Sequence, residues 1–188
     1  MTLEGLPMNP PQPLLKGHTL EDWATWDGRW ELIDGVAYDM TPSPSLEHQR
    51  VSMHLSTALS RKLSAAKRGG GKGGCEVFAA PLDLFIAGDV FQPDLVVVCD
   101  PAKKTARGIE GPPDLVIEIL SPSTASRDLL RKRWAYEAGG VPEYLIVDPQ
   151  ERNGLLLRLE DGKYLEAARV EWAGAITLLR GRIQIKLG

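Results

Sequence analysis

The sequence predicts a mixed α/β (α+β) fold built on one central sheet, and three observations carry that expectation. The stretch from Pro113 to Pro149 reads as strand, turn, helix, strand with short links, the signature of a parallel crossover. Upstream, Phe91–Cys99 is a second short apolar run, and the polar, Gly- and Lys-containing connection after it suits the tip of an antiparallel hairpin. The two ends of the chain turn to antiparallel patterns. Trp30–Met40 forms a hairpin near the N-terminus. The runs Leu155–Leu159, Tyr164–Ala168, Ile176–Leu179 and Arg182–Lys186 form a closing meander.

Taken in order, Met1–Gly17 is Pro-rich and reads as an irregular arm whose leucines lie on the body of the protein. Thr19-Leu20-Glu21-Asp22-Trp23 has a capping residue and an acid three positions on, which suits a short capped helix. The Trp30–Met40 hairpin turns at Asp34-Gly35, the dipeptide that best tolerates the positive φ angles of a two-residue turn. After Thr41-Pro42-Ser43-Pro44 a helix is expected from about Leu46 to Lys67, with Val51, His54/Leu55, Ala58/Leu59 and Leu63 as its apolar stripe. Gly69–Gly74 is a glycine-rich loop bearing Lys72. It lacks the spacing and the following hydroxyl residue of a phosphate-binding loop. Cys75–Ile86 supplies one strand, bent at Pro81. Asp114–Leu120 is the first crossover strand, broken by Ser121-Pro122-Ser123. Ser123, Thr124 or Ser126 then caps a helix that Gly139-Gly140 stops. Glu143–Val147 is the returning strand. The helix from Leu46 and the helix from Ser126 are expected on opposite faces of the sheet.

Length and composition narrow the class. At 188 residues the chain reads as a single domain with a sizeable core, and 43% hydrophobic and 25% charged residues exclude a disordered polymer. The net charge of −3 does not advertise a polyanion partner through bulk charge, although Arg61, Lys62, Lys67, Arg68 and Lys72 cluster, as do Arg127, Arg131, Lys132 and Arg133. Cys75 and Cys99 make neither a disulfide framework nor a paired-cysteine zinc motif, and read as reduced thiols in a cytoplasmic protein. No apolar run approaches the roughly 20 residues of a membrane span, and no signal peptide is expected.

Glu118 is the exception within its apolar strand. Burying an unpaired charge is costly, so it either sits at the strand's open end or has a cation beside it. Setting Asp94 opposite Glu118 across the hairpin makes paired residue numbers sum to 212, puts Val98 opposite Asp114 and leaves Cys99–Pro113 as the loop. Directly opposite residues share a face, with Cβ atoms about 4.5–5.5 Å apart. Two carboxylates that close repel unless a proton or a metal ion lies between them. Register alone thus points to a metal site.

The residues in this pattern resemble a known family. Glu31-Leu32-Ile33-Asp34-Gly35, Met40-Thr41-Pro42-Ser43-Pro44 with His48, and Gln92-Pro93-Asp94-Leu95-Val96-Val97-Val98 match it. So do Gly111 through Thr124, then Asp128, Lys132, Tyr136 and Gly140-Val141-Pro142-Glu143-Tyr144-Leu145-Ile146-Val147-Asp148-Pro149. The chain is similar to the Uma2 family, a restriction-endonuclease group within the PD-(D/E)xK nuclease-like proteins, over roughly residues 28 to 160. The resemblance implies a restriction-endonuclease-like core in which Asp94 and Glu118, with the carbonyl of Ile119, hold Mg²⁺ (or Mn²⁺). Hard oxygen ligands suit such ions. The general pattern places a lysine two residues after the glutamate, where this chain has Leu120. The resemblance moves that lysine to the next helix, at Lys132. Metal and lysine together would activate water and stabilise charge on phosphorus.

Each assignment has a simpler rival. Asp94 suits strand-capping or turn chemistry beside Pro93, and Glu118 an internal ion pair with Arg or Lys. Lys132 lies four residues after Asp128, the spacing of an exposed helical pair worth about 0.2–0.5 kcal/mol. His48, with Glu47 beside it, offers a supporting or second-metal role or a helix-terminus contact. Tyr136 reads as packing, and Asp148 as structural. The resemblance implies metal-dependent hydrolysis of DNA. Two-fold pairing would set two sites across a duplex, so a homodimer is expected. The alternatives are a non-catalytic nucleic-acid-binding or assembly module on the nuclease fold, and a hydrolase of small phosphate esters. The complete Asp94/Glu118/Lys132 set favours the enzyme.

Overall fold

In chain order the elements are α1 (Leu20–Trp23), β1 (Trp30–Ile33), β2 (Val36–Asp39), α2 (Leu46–Arg68), β3 (Glu76–Ala79), β4 (Leu84–Ile86), β5 (Asp89–Phe91) and β6 (Leu95–Val98). A 3-10 turn (Pro101–Lys103) follows, then β7 (Ile109–Glu110), β8 (Leu115–Ile119), α3 (Arg127–Ala138), β9 (Glu143–Asp148), β10 (Asn153–Glu160), β11 (Lys163–Glu171), β12 (Ala175–Leu178) and β13 (Ile183–Lys186). This computed structural model describes residues 17–40, 44–68, 74–121 and 127–188. The arm expected at Met1–Gly17, apart from Gly17, lies outside them, as do Lys72 and the capping candidates Ser123, Thr124 and Ser126.

The central sheet has six strands in the order β11-β10-β9-β8-β6-β3. β8 and β9 run parallel, as a strand–helix–strand crossover requires, and the other pairs are antiparallel. Alternation along the strands splits the core in two. Leu95, Val97, Leu115, Ile117, Leu145 and Val147 face Val51, Leu55, Leu59 and Leu63 of α2. Val96, Val98, Val116, Tyr144 and Ile146 face the other way, toward Tyr136 of α3 and toward Ile33, Leu84, Ile86 and Phe91. The two helices therefore cover opposite faces, as the apolar stripes require. His54 is the one member of the expected stripe that turns out: it is exposed, with Nε2 3.2 Å from the Lys186 carbonyl oxygen.

The second layer on the α3 side is a five-stranded sheet, β2-β1-β5-β4-β7, which the sequence reading does not contain. Cys75–Ile86 is two strands in two sheets, β3 in the large one and β4 in the small one, because the segment around Pro81 leaves the ladder. Phe91–Cys99 likewise divides at Gln92-Pro93-Asp94 into β5 and β6. β1 and β2 pair with Ile33 opposite Val36, and Asp34 and Gly35 take φ of 51° and 72°, as the Asp-Gly turn predicts. The closing meander is also divided: β10 and β11 extend the large sheet while β12 and β13 pair as a ribbon of their own.

Cys75 and Cys99 are joined in a disulfide, which corrects the expectation of reduced thiols. β3 pairs with β6 with Glu76 opposite Val98, so one step further out the register sets the two cysteines face to face. The pairing depends on two strands separated by an excursion into the small sheet, and spacing alone does not reveal it. With the thiols goes the thiol-based argument for a cytoplasmic location. Among the described residues, no helix is long and apolar enough to cross a membrane.

Candidate active site

β6 and β8 pair with Leu95 opposite Ile117, Val96 opposite Val116 and Val97 opposite Leu115, so paired numbers sum to 212 as the hairpin register requires. Asp94 stands just ahead of β6 and Glu118 one residue from the end of β8. Asp94 lies where its strand begins, and its Oδ2 accepts from the Ile119 N–H at 2.8 Å. That bond ties the acid to the end of β8. The rival reading of Asp94 as a strand-end hydrogen-bond acceptor therefore describes one of its oxygens. The other, Oδ1, lies 3.1 Å from Nε2 of His48.

His48 comes from the first turn of α2, where Ser45 Oγ accepts from its backbone N–H at 3.2 Å. The ring is buried, and among the described residues Nδ1 has no partner. Burial opposes the charged ring, but the hydrogen bond to Asp94, the charges of Asp94 and Glu118 and the Ile119 carbonyl outweigh it. His48 is held above its ordinary pKa. Glu47 does not join this group: it is exposed and pairs with Arg50 at 3.3 Å.

α3 supplies the two groups that meet Glu118. Lys132 and Tyr136 are four residues apart and so share a helix face. Lys132 Nζ lies 3.0 Å from Glu118 Oε1, and the Tyr136 hydroxyl donates to the same oxygen at 2.9 Å. All three are buried. Lys132 is thus no surface decoration, and the side chain of Asp128, its proposed rival partner, lies outside the described residues. Nor is Tyr136 merely packing. It does pack, with its ring centroid 4.8 Å from that of Phe91, but its hydroxyl serves Glu118.

A fourth buried group completes the cluster. Glu31 of β1 is 2% exposed, and its Oε1 lies 2.7 Å from Lys132 Nζ. One ammonium is therefore clasped between two carboxylates. The Glu118 carboxyl is raised to about 7: burial is the largest cause, Lys132 opposes it, and Asp94 and Glu31 add to it. For Lys132, burial works against the charge, but Glu118 and Glu31 more than compensate, and it stays an ammonium at any accessible pH. Burial and the field of Glu118 raise Tyr136 and Tyr144 well above a normal phenol, so both hydroxyls stay protonated; that of Tyr136 donates to Glu118, while among the described residues that of Tyr144 has no partner. At the rim, Arg131 Nη1 donates to the Tyr38 hydroxyl at 2.7 Å.

Among the described residues, no group of three or more His, Cys, Asp or Glu side chains is arranged to hold a metal ion. The carboxylates are engaged instead by Lys132 and His48. The donor chemistry nevertheless fits a hard divalent cation. Asp94 and Glu118 are close enough to raise the Glu118 pKa, and both are oxygen donors. Among the described residues, both donors to Glu118 use Oε1, which leaves Oε2 for a cation.

The model of the Uma2 family, described as "Putative restriction endonuclease", matches residues 18–179. The chain belongs to the Uma2 family. A relative in Synechocystis, "Uncharacterized protein slr1290", is 32% identical over 143 residues, covering 73% of this chain and 66% of the relative's length. Among solved structures, a "putative nuclease belonging to DUF820" from Anabaena variabilis superposes with a TM-score of 0.70 at 16% identity, over 90% of this chain and 94% of that one. That likeness establishes a shared fold: mixed α+β, with the six-stranded sheet at its centre.

Glu31 and the hydroxyl of Tyr136 are the participants that sequence reasoning missed. The signal for Glu31 is the one that singled out Glu118, an acid inside an apolar strand, here Trp30-Glu31-Leu32-Ile33. For Tyr136 the signal is its position one turn beyond Lys132.

Proposed function

We propose that this Uma2 protein is a divalent-cation-dependent endonuclease that hydrolyses DNA phosphodiester bonds, with Asp94, Glu118 and the Ile119 carbonyl as cation ligands and Lys132 as the catalytic cation. The observation that carries the reading is the buried Lys132 ammonium 3.0 Å from Glu118, the strand-end acid that shares its site with Asp94. The missing lysine of the strand motif is replaced in space by one from α3. Leu120 at the motif position then costs the site no charge.

Mg²⁺ or Mn²⁺, when bound, supplies Lewis-acid activation of water and neutralisation of phosphate charge. The chain's own groups do the rest. Tyr136 orients Glu118 by holding Oε1. The Ile119 N–H fixes the plane of Asp94. Lys132 presents a permanent positive charge that stabilises the charge developing on phosphate oxygens, which is worth more in a site shielded from water. His48 bears on Asp94 from the α2 side and sets the orientation of its outer oxygen.

The non-catalytic module keeps one observation in its favour: both carboxylates already have cationic partners of the protein's own. Incubating single- and double-stranded DNA with the wild type, Asp94→Asn and Lys132→Met in Mg²⁺ or Mn²⁺ separates the two readings. Cleavage by wild type alone, with the cation still bound by Lys132→Met, is the expected result. DNA binding without cleavage in either ion is the module's result. Lys132→Met strands two buried carboxylates, so its folded fraction is measured alongside.

A further inference from the structure

Lys132 touches two carboxylates, and only Glu118 belongs to the proposed cation site. Glu31 comes from the other side of the cleft, from the small sheet. Its Oε1 also accepts from the Gln92 backbone N–H at 2.7 Å. Gln92 is itself braced, its Oε1 taking the Arg29 Nε–H at 3.0 Å and its Nε2 donating to Asp83 Oδ1 at 2.9 Å. Gln92-Pro93-Asp94 is the short link between β5 and β6, so the backbone that holds Glu31 leads directly into Asp94. A buried carboxylate fixed this firmly on a separate sheet is more than a counter-ion that happens to be near.

We infer that Glu31 is a positioning residue for Lys132, the anchor that keeps the ammonium in the site when a cation takes Glu118. The inference rests on the nuclease reading. A divalent cation on Glu118 competes with Lys132 for that carboxylate and repels the ammonium from it. A lysine held by Glu118 alone would be driven out toward solvent on a flexible four-carbon stem, or would keep the cation away. Glu31, 2.7 Å away and on a different element, gives it a second hold that the cation does not contest. Lys132 then stays charged and buried beside Glu118. In this account the N-terminal hairpin is part of the site, and the cation exchanges one of the lysine's two partners instead of evicting it.

The test uses the intact chain and Mg²⁺, with two readouts: calorimetric Mg²⁺ binding, and the Lys132 ammonium signal in ¹⁵N-lysine NMR, which survives only when the ammonium protons are protected from exchange with water. In wild type the signal is expected to shift on Mg²⁺ addition and to persist. In Glu31→Gln, which keeps the shape and the acceptor but loses the charge, it is expected to vanish once Mg²⁺ binds. Cleavage at saturating Mg²⁺ should then fall at least tenfold while KM for DNA changes less than twofold. Glu31→Asp, whose carboxylate falls short of Nζ, should lose several-fold in turnover with the fold intact. Mg²⁺ binding with a protected lysine signal in Glu31→Gln overturns this inference alone and leaves the nuclease reading standing. Wild-type turnover in Glu31→Asp does the same. Failure of the wild type to bind Mg²⁺ overturns both.

Discussion

Glu143 at the start of β9 and Glu118 near the end of β8 are acids in apolar strands, both buried, on neighbouring parallel strands. Their surroundings differ in kind. Glu143 takes donors on both oxygens: Arg158 donates to Oε1 through Nε at 3.1 Å and Nη2 at 3.0 Å, the Arg180 N–H donates to Oε1 at 2.9 Å, and the Leu179 N–H to Oε2 at 2.6 Å. Its work is to pin the turn before β13 onto the large sheet. Glu118 has two donors on one oxygen and two like charges, Asp94 and Glu31, in its field. A carboxylate with donors on both oxygens is a structural part. One with described donors on a single oxygen, pressed by other acids, has room for a further partner, and on the proposed reading that partner is a divalent cation.

The comparison breaks most visibly at Glu143. Glu143→Ala leaves Arg158 and two backbone N–H groups without their acceptor and is expected to cost about 3–5 kcal/mol of stability. Its cation binding and cleavage per folded molecule should be those of wild type. Urea unfolding and Mg²⁺ calorimetry on the same sample check both halves, and a loss of Mg²⁺ affinity in folded protein would show that the two acids are not separable.

A smaller stability effect without a site effect is expected for the disulfide. Cys75 and Cys99 are 24 residues apart, and replacing both with Ser should cost about 2–4 kcal/mol by releasing the unfolded chain. The bridge sits at the far end of β6 from Asp94, so Mg²⁺ affinity should be unaltered. A change of threefold or more in the calorimetric Kd would tie the edge strand to the site.

Tyr136→Phe sharpens the contrast from the other side. It removes one of the two donors to Glu118 at a cost of about 1.5–3 kcal/mol, the range for a hydrogen bond to a charged group. Here cleavage should fall along with stability, because the freed carboxylate loses its orientation. Wild-type turnover would return Tyr136 to a packing role.

The smallest effect expected lies outside both clusters. Asp89 at the start of β5 is half-buried, and burial raises its carboxyl from 3.8 to about 6 despite the Asp34 N–H it accepts; Asp34 itself adds to the rise. The native state then holds a proton more readily than the unfolded chain, so this group's contribution to stability falls as pH rises from about 4 to 6. Asp89→Asn should gain on wild type in Tm between pH 4 and pH 7.5. Parallel Tm curves would contradict it.

How much of this was legible depends on distance along the chain. The Asp94–Glu118 register was readable because β6 and β8 flank a single polar connection, which also carries the two-residue β7, and the apolar pattern leaves one alignment. The crossover and the two helices follow from periodicity within single segments. The small sheet was not legible: β4, β5 and β7 are only two or three residues long, too short for a pattern, and β5 is continuous in sequence with a strand of the other sheet. Glu31 and Lys132 meet across two layers of structure, and nothing local to either residue names the other. The disulfide was hidden for the same reason, since it depends on how β3 returns against β6.

The most direct measurement is cleavage of plasmid and single-stranded DNA in Mg²⁺ or Mn²⁺ by wild type, Glu118→Gln and Glu143→Ala at equal folded concentration. The account predicts that wild type and Glu143→Ala cut while Glu118→Gln, folded as well as wild type, does not. Equal cutting by Glu118→Gln, or a wild type silent in both ions, would contradict it.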